Sequence, residues 1–459
     1  MTFRLKLRLS VVLLALACLP TELPAQSPPR RVNVLFISCD DLNTKLGCYG
    51  SDFIKSPQID RLAARGVRFD RAYCQNPFCM PSRTSFLSGR RPDAPQKELE
   101  RAVWMPHYFR DHGYFTAAVG KVVHGVGFAS GLVEWDVKEK QPKPAERPED
   151  KDDPDARFQG GRVARRAVEL MEERREKPFF ISVGLEEPHS GWRVPQKYYD
   201  LYPPEKVVLP QEPPEHFQGI PAVARAFDQT RPEHDEWTDE QQRQRIADFQ
   251  ARYAFADAQV GVLLDALDRL KLWDDTVVLL AGDHGLHLGE HGYWGKRSLF
   301  EESVRIPLIV AAPGVKGDRA CPRLVEHIDV YPTFADLCGL PAPAGVEGTS
   351  FVPLLKDPNR PWKKAAFTQT ERPLRGQSVP DPSEAQRALN EERRQIIGRS
   401  VRTERYAYIE WGDEHVAQLY DHETDPHEYV NLVESREHAE VLAAMRRLLK
   451  GGWQAALPE

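Results

Sequence analysis

Three apolar runs rich in β-branched residues, VNVLFIS (32–38), PFFISVG (178–184) and DTVVLLAG (275–282), lie far apart in the chain with amphipathic stretches between them. Runs of this length suit strands buried on both faces, and helix-forming segments between them supply the crossovers that parallel strands need. Apolar residues recur every three or four positions in 56–66, 101–113, 160–176 and 240–271, which predicts helices there. The alternation points to an α/β fold, a mostly parallel sheet with helices on both faces. Near residue 365 the pattern changes: strand-like segments at 405–412 and 416–422 precede a helical stretch at 435–451. A catalytic-size domain over 26–365 and a smaller C-terminal α+β subdomain over 366–459 are therefore expected. The proline- and charge-rich segment 138–157 predicts a surface loop.

The N-terminus joins Arg4, Lys6 and Arg8 to the apolar run LSVVLLALA and a small residue, Ala25, the features of a cleaved export signal over 1–25. That run is far short of the ~20 residues needed to span a bilayer, and no later segment reaches that length, so no integral membrane segment is expected. The expected location is periplasmic or secreted. Lipidation at Cys18 is the alternative, with alanine where a lipoprotein processing site usually has leucine. Removing the signal makes the formal net charge of -6 more negative still, which argues against nucleic acid as a partner. Cys39, Cys48, Cys74, Cys79, Cys321 and Cys338 remain. Without a Cys-x-x-Cys pair the usual zinc and thioredoxin readings fall away, and a Cys321–Cys338 bridge stays open.

All three apolar runs end in polar residues: Asp40-Asp41, the Glu-Glu-Pro-His that ends at His189, and Asp283-His284. Ligand sites in parallel α/β sheets gather beyond the carboxyl ends of the strands, so these groups are expected to converge. Adjacent aspartates repel unless a cation neutralises them. Asp40, Asp41 and Asp283 offer the oxygen ligands of calcium or magnesium, while a nitrogen from His284 shifts the preference toward softer metals. Lys121 and Lys296 each follow a glycine, and His124 lies three residues beyond Lys121. With Arg83 and the metal, the two lysines would clamp a tetrahedral oxyanion.

These residues sit in stretches that carry a resemblance: CDDLNTKLGCYG, CMPSRTSFLSGRRPD, GYFTAAVGKVVH, EPH, GDHGLHLGEHGYWGK and IPLIVAAPG. From about Val32 to about Leu432 the chain resembles the type I sulfatases of the alkaline phosphatase superfamily, and within them is most similar to the iduronate-2-sulfatases. The resemblance implies an alkaline-phosphatase-like fold and hydrolysis of sulfate esters of carbohydrates. It also implies that a formylglycine-generating enzyme, reading Cys79, Pro81 and Arg83 in the extended chain, converts Cys79 to formylglycine. One hydroxyl of the hydrated aldehyde would attack sulfur and displace the sugar alcohol, and the second would expel sulfate as the aldehyde reforms. By position, Asp40, Asp41, Asp283 and His284 would hold one calcium ion. Arg83 would hold the formylglycine oxygen and His124 would take the proton of the second hydroxyl. Lys121, His189 and Lys296 would grip the sulfate, with His189 or Lys296 protonating the leaving oxygen.

The chain departs from the iduronate-2-sulfatase pattern just ahead of His189, where Glu186 and Glu187 replace basic residues. Lining the pocket, they would repel a substrate carboxylate and favour a neutral or amino sugar. Two other functions fit the same motifs: hydrolysis of phosphonate or phosphate esters within the superfamily, and non-catalytic binding of sulfated polysaccharide.

Overall fold

The computed structural model describes residues 31–124, 129–143, 153–225, 237–373 and 395–458; the expected signal over 1–25 and Cys18 lie outside them. The first half forms β1 (Asn33–Asp40), α1 (Pro57–Arg65), β2 (Val67–Tyr73), α2 (Cys79–Ser88), α3 (Gln96–Arg101), α4 (Met105–Asp111), β3 (Phe115–Gly120), β4 (Val137–Glu139), α5 (Gln159–Arg174) and β5 (Phe179–Pro188). The second half adds α6 (Asp239–Leu270), β6 (Thr276–Gly282), β7 (His287–Leu288), β8 (Trp294–Gly295), β9 (Arg305–Ala311), β10 (Arg319–Glu326) and α7 (Val330–Leu337). Eight strands make one sheet in the order β10-β2-β9-β6-β1-β5-β3-β4. Only β9 runs against its neighbours, β2 and β6.

Side chains alternate across each strand, so the apolar runs feed two cores. From β1, Val34 and Phe36 pack with α2, α4 and α7 through Phe86, Phe109 and Phe334. Leu35, Ile37 and Cys39 point the other way, onto α1, α5 and α6, through Leu62, Val163 and Leu263. Each such side chain contributes roughly 1.5–3 kcal/mol when fully buried. α6 starts where Thr238 and Gln241 form a reciprocal capping box and stops at Lys271, which takes a left-handed φ of 55°.

Three expectations need correction. The helix expected over 101–113 is shorter, Met105–Asp111: α3 ends at Arg101, the chain is extended at Ala102, and Pro106 lies in the first turn of α4, where its missing N–H costs nothing. The segment 138–157 is not loop throughout: β4 forms an edge strand of the sheet, and Asp155 and Ala156 are buried. Cys321 and Cys338 are not bridged; each is a free thiol against a backbone carbonyl, of Pro358 and Val32 respectively.

The C-terminal part is a four-stranded antiparallel sheet, β11 (Ala366–Pro373), β12 (Gln395–Arg402), β13 (Tyr406–Trp411) and β14 (Asp413–Asp421), with α8 (Ala439–Gly451) packed on it. Phe367 of β11 ties it to the large sheet by donating its N–H to Glu326 (3.0 Å), the centre of a buried ion cluster. Glu326 takes two hydrogen bonds from Arg91 (2.8 and 2.9 Å), and Lys363 reaches both Glu326 (2.8 Å) and Asp329 (2.7 Å).

Candidate active site

The adjacent strands β6, β1, β5 and β3 end on one edge and bring most of the expected residues together. Asp40 closes β1. Asp41 follows with a left-handed φ of 65°, a costly conformation for a non-glycine residue, and its N–H donates to Asp283 Oδ1 (3.1 Å) beyond β6. His284 N–H donates to the same oxygen (3.0 Å). Lys121 follows Gly120 at the end of β3, where a β-carbon on Gly120 would collide with the Gly184 carbonyl; glycine lets the two strand ends close up. Its Nζ bonds Asp40 Oδ2, and Lys296 Nζ bonds Asp41 Oδ1 (2.6 Å) and Cys79 Sγ (3.3 Å).

Cys79 opens α2, where the helix dipole favours an anion. It is 2 % exposed, and one ligand atom from each of Asp40, Cys79, Asp283 and His284 lies within 4.8 Å of the others. Arg83, one turn along α2, donates through Nε to Asp283 Oδ2 (2.9 Å) and through Nη1 to the Lys121 carbonyl. His189 Nε2 stands 3.9 Å from Asp41 Oδ2. His124 is half-buried on the turn that follows Lys121.

Charge decides the protonation states. Burial alone would raise Asp40, but Lys296, Arg83 and Lys121 outweigh it and hold the carboxyl well below the usual range. Burial pulls Lys296 down, yet Asp41 and Asp40 hold it above its ordinary value. Burial, with Asp40 adding to it, pushes the Cys79 thiol up to about 12. As a plain thiol it is protonated at neutral pH and a poor nucleophile.

A hard cation fits this donor set. Among the described residues, Asp40 Oδ1 and His284 Nε2 are buried and have no hydrogen-bond partner, beside two further carboxylates. Burial lowers His284, which leaves it neutral and able to offer a lone pair.

The Lys296 loop has supports of its own. β7 and β8 form a small ribbon around Glu290–Gly292, and Arg297 N–H bonds the Pro77 carbonyl (3.0 Å), two residues before Cys79. Inside the loop, His291 stacks on Phe300 with centroids 3.9 Å apart. His216 Nδ1 lies 2.9 Å from the Tyr429 carbonyl, which only accepts, so it donates there. His216 Nε2 lies 2.8 Å from His291 Nδ1, and His291 Nε2 stands 3.4 Å from Glu302. Burial lowers His216, while Glu302 overcomes burial to raise His291, so the proton charge sits on His291. This chain joins the loop to the segment after β14.

The sequence reading missed several supports. Ser82 donates to the Asp283 carbonyl (2.5 Å), and Tyr253 on α6 lies 3.1 Å from the Asp41 carbonyl and 3.0 Å from Asn43 Oδ1. Nothing in a single sequence distinguishes Tyr253 from a core tyrosine. The expectation fails for Glu187. Both acids are buried, and Glu187 is 1 % exposed, points to the α5 side and accepts the Gly160 N–H (3.3 Å). Burial pushes it up to about 7.

A sulfatase family model matches residues 32–340, the span that carries all of these site residues. The chain belongs to the sulfatase family. This sulfatase is 30% identical to the iduronate 2-sulfatase of Homo sapiens over 92% of its own length and 94% of the relative's. It is 25% identical to an N-acetylglucosamine-6-O-sulfatase of Bacteroides thetaiotaomicron, over 96% and 90%. The phosphonate monoester hydrolase of Agrobacterium radiobacter shares the fold, with a TM-score of 0.76 at 22% identity, covering 92% and 95% of the two chains. The protein is a sulfatase, an enzyme that hydrolyses sulfate esters. Among its described residues no helix is long and apolar enough to cross a membrane.

Proposed function

We propose that this sulfatase is an exported enzyme that desulfates a glycosaminoglycan-like carbohydrate in the manner of the iduronate-2-sulfatases, through formylglycine at position 79. The observation that carries the reading is the setting of Cys79: a thiol pushed up to about 12, between Lys296 Nζ at 3.3 Å and the Asp40, Asp283 and His284 ligand atoms. Such a thiol is inert, whereas its oxidation to an aldehyde, by a formylglycine-generating enzyme during maturation, supplies on hydration an oxygen nucleophile in the same place.

Asp40, Asp41, Asp283 and His284 would hold one calcium ion, which when bound supplies positive charge to the nucleophile and the sulfate oxygens. The remaining steps belong to the chain's own groups. Arg83 holds the oxygen of residue 79, while its bond to Asp283 keeps the guanidinium in place. Lys121 and Lys296 grip the sulfate. His189, at the rim beside Asp41, or Lys296 protonates the leaving sugar oxygen, and His124 takes the proton from the second hydroxyl as sulfate departs. The expected division into a catalytic part at 26–365 and a C-terminal part at 366–459 places all ten of these residues in the first.

The test combines two measurements on protein made alongside a formylglycine-generating enzyme. The Cys79 peptide should show the mass of the aldehyde, and kcat/KM should favour a sulfated saccharide over phosphate and phosphonate esters. Faster phosphonate turnover would transfer the assignment to the hydrolase class whose fold it shares. An unmodified thiol with tight saccharide binding and no turnover would make the protein a binder.

A further inference from the structure

Helix α6 reaches the site with one face. Arg245, Phe249, Arg252 and Tyr253 fall on a single stripe of the helix by their spacing. At its inner end Tyr253 holds the Asp41 backbone. Next to it Arg252, which is buried, donates through Nε to the Trp192 carbonyl (3.0 Å), three residues beyond His189. The stripe therefore runs from the metal-ligand turn along the underside of the His189 loop.

Arg245 is the outer member, and it is unlike its neighbours. It is half-buried with its guanidinium over the Phe249 ring at 4.9 Å. It makes no hydrogen bond or ion pair with any described residue, although Asp41 and Asp248 are near enough to act on it. Burial first, and then the charge of Arg252, holds it below the ordinary guanidinium value. A partly desolvated cation with no carboxylate bonded to it among the described residues is an unfavourable arrangement that an incoming anion would relieve. Beside it, Gln244 helps to line a depression of about 520 Å³ with Phe158, Arg193, Gln196 and Tyr199. Two aromatic rings, two amides and an exposed guanidinium match the face and hydroxyls of a sugar ring, in a space within the usual range for ligand sites.

We propose that Arg245 is a specificity-determining residue that binds a second anionic group, a carboxylate or a further sulfate, on the saccharide whose scissile sulfate occupies the Cys79 centre. The depression takes the adjoining sugar ring. This rests on the sulfatase reading above and names the substrate class more narrowly: saccharides with an anion besides the one removed. Arginine suits the task because its planar fork pairs with either group through two hydrogen bonds.

The experiment compares kcat/KM for three saccharides: a 2-O-sulfated uronate disaccharide, its carboxyl-reduced counterpart, and that counterpart with an added N-sulfate. Arg245→Met keeps the alkyl stem on Phe249 and removes the charge. It should lower the ratio of an anion-bearing substrate to the carboxyl-reduced one by tenfold or more, mainly through KM, while Arg245→Lys lowers it severalfold. A fall confined to the uronate identifies a carboxylate, and one confined to the N-sulfated sugar identifies a sulfate. Ratios unmoved in both variants would overturn the assignment, and if Arg245→Met does not fold, an unmoved ratio in Arg245→Lys does so alone. If the wild type cleaves none of the three, the iduronate-2-sulfatase-like reading of its substrate fails on its own. Calorimetric binding of the same saccharides to Cys79→Ala, with and without Arg245→Met, then decides Arg245 separately. Tenfold weaker binding of an anion-bearing saccharide upholds its role, and equal binding overturns it.

Discussion

Replacing Glu187 by glutamine isolates the cost of a carboxyl group enclosed beside a sheet. Its side chain accepts one weak hydrogen bond, from Gly160 at 3.3 Å, and its Oε2 has no partner among the described residues. Burial therefore raises it from 4.5 to about 7. A carboxyl raised on folding binds its proton more tightly in the native state. Its contribution is fully present below pH 4.5 and is lost as pH climbs through about 7. The gap between the two values is worth about 3.4 kcal/mol, of which about 2.5 kcal/mol falls between about pH 5 and about pH 8. Glutamine keeps the shape and cannot ionise. Urea unfolding of wild type and Glu187→Gln at those two pH values should show the variant gaining on the wild type by that amount at the higher one. A stability gap that stays constant, or narrows with rising pH, would refute the account of Glu187 as a neutral buried acid.

Cys79→Ala and Cys79→Ser should each abolish turnover while leaving the thermal midpoint near that of the wild type; more than trace activity in either pure variant contradicts the role given to residue 79. Chelation should lower activity and thermal midpoint together, because Asp40, Asp41 and Asp283 lose the charge that offsets their repulsion, and an unchanged midpoint after demonstrated metal removal would argue against the ligand set. Glu302→Gln strips the partner from the buried His291 imidazolium and should cost about 3 kcal/mol. Because His291 is raised on folding, its contribution is present below about 6.5 and lost as pH rises past its native value. Above about pH 6.5 the wild type should therefore lose stability while the variant, whose His291 has lost the lift from Glu302, stays flatter, and superimposable alkaline limbs would count against the pair.

What the sequence disclosed follows from how locally each feature is encoded. β1, β5 and β6 are buried on both faces, so their composition alone announces them, and the polar residues at their ends mark the site. β2, with the sequence VRFDRAY, alternates with charged residues and is only partly buried, which leaves no comparable run to read. The break at Ala102 depends on where Pro106 falls, which periodicity ignores. The basic residues that the iduronate-2-sulfatase pattern has ahead of His189 suggest a pocket-lining place for Glu187, whereas the odd-numbered residues of β5 face α5 and α6 and carry Glu187 with them. Arg245 carries no motif at all. Its interest lies in having no bonded partner among the described residues, a property of three-dimensional surroundings.

The proton chain through His216 and His291 divides the site into parts of unequal endurance. Asp40 and Asp283 sit at the ends of the central strands β1 and β6 and Lys121 follows β3 of the same sheet, strands whose buried amides are expected to exchange slowly. Lys296 instead rides on a ribbon of two short strands, steadied through His291 and His216 by the carbonyl of Tyr429. Release of that C-terminal segment would free Lys296, the cation proposed to grip the sulfate, while the sheet stays intact. On gradual heating, catalysis should therefore decay before the far-ultraviolet signal of the sheet, and deuterium should enter the amides of 287–296 and 429 ahead of those of β1.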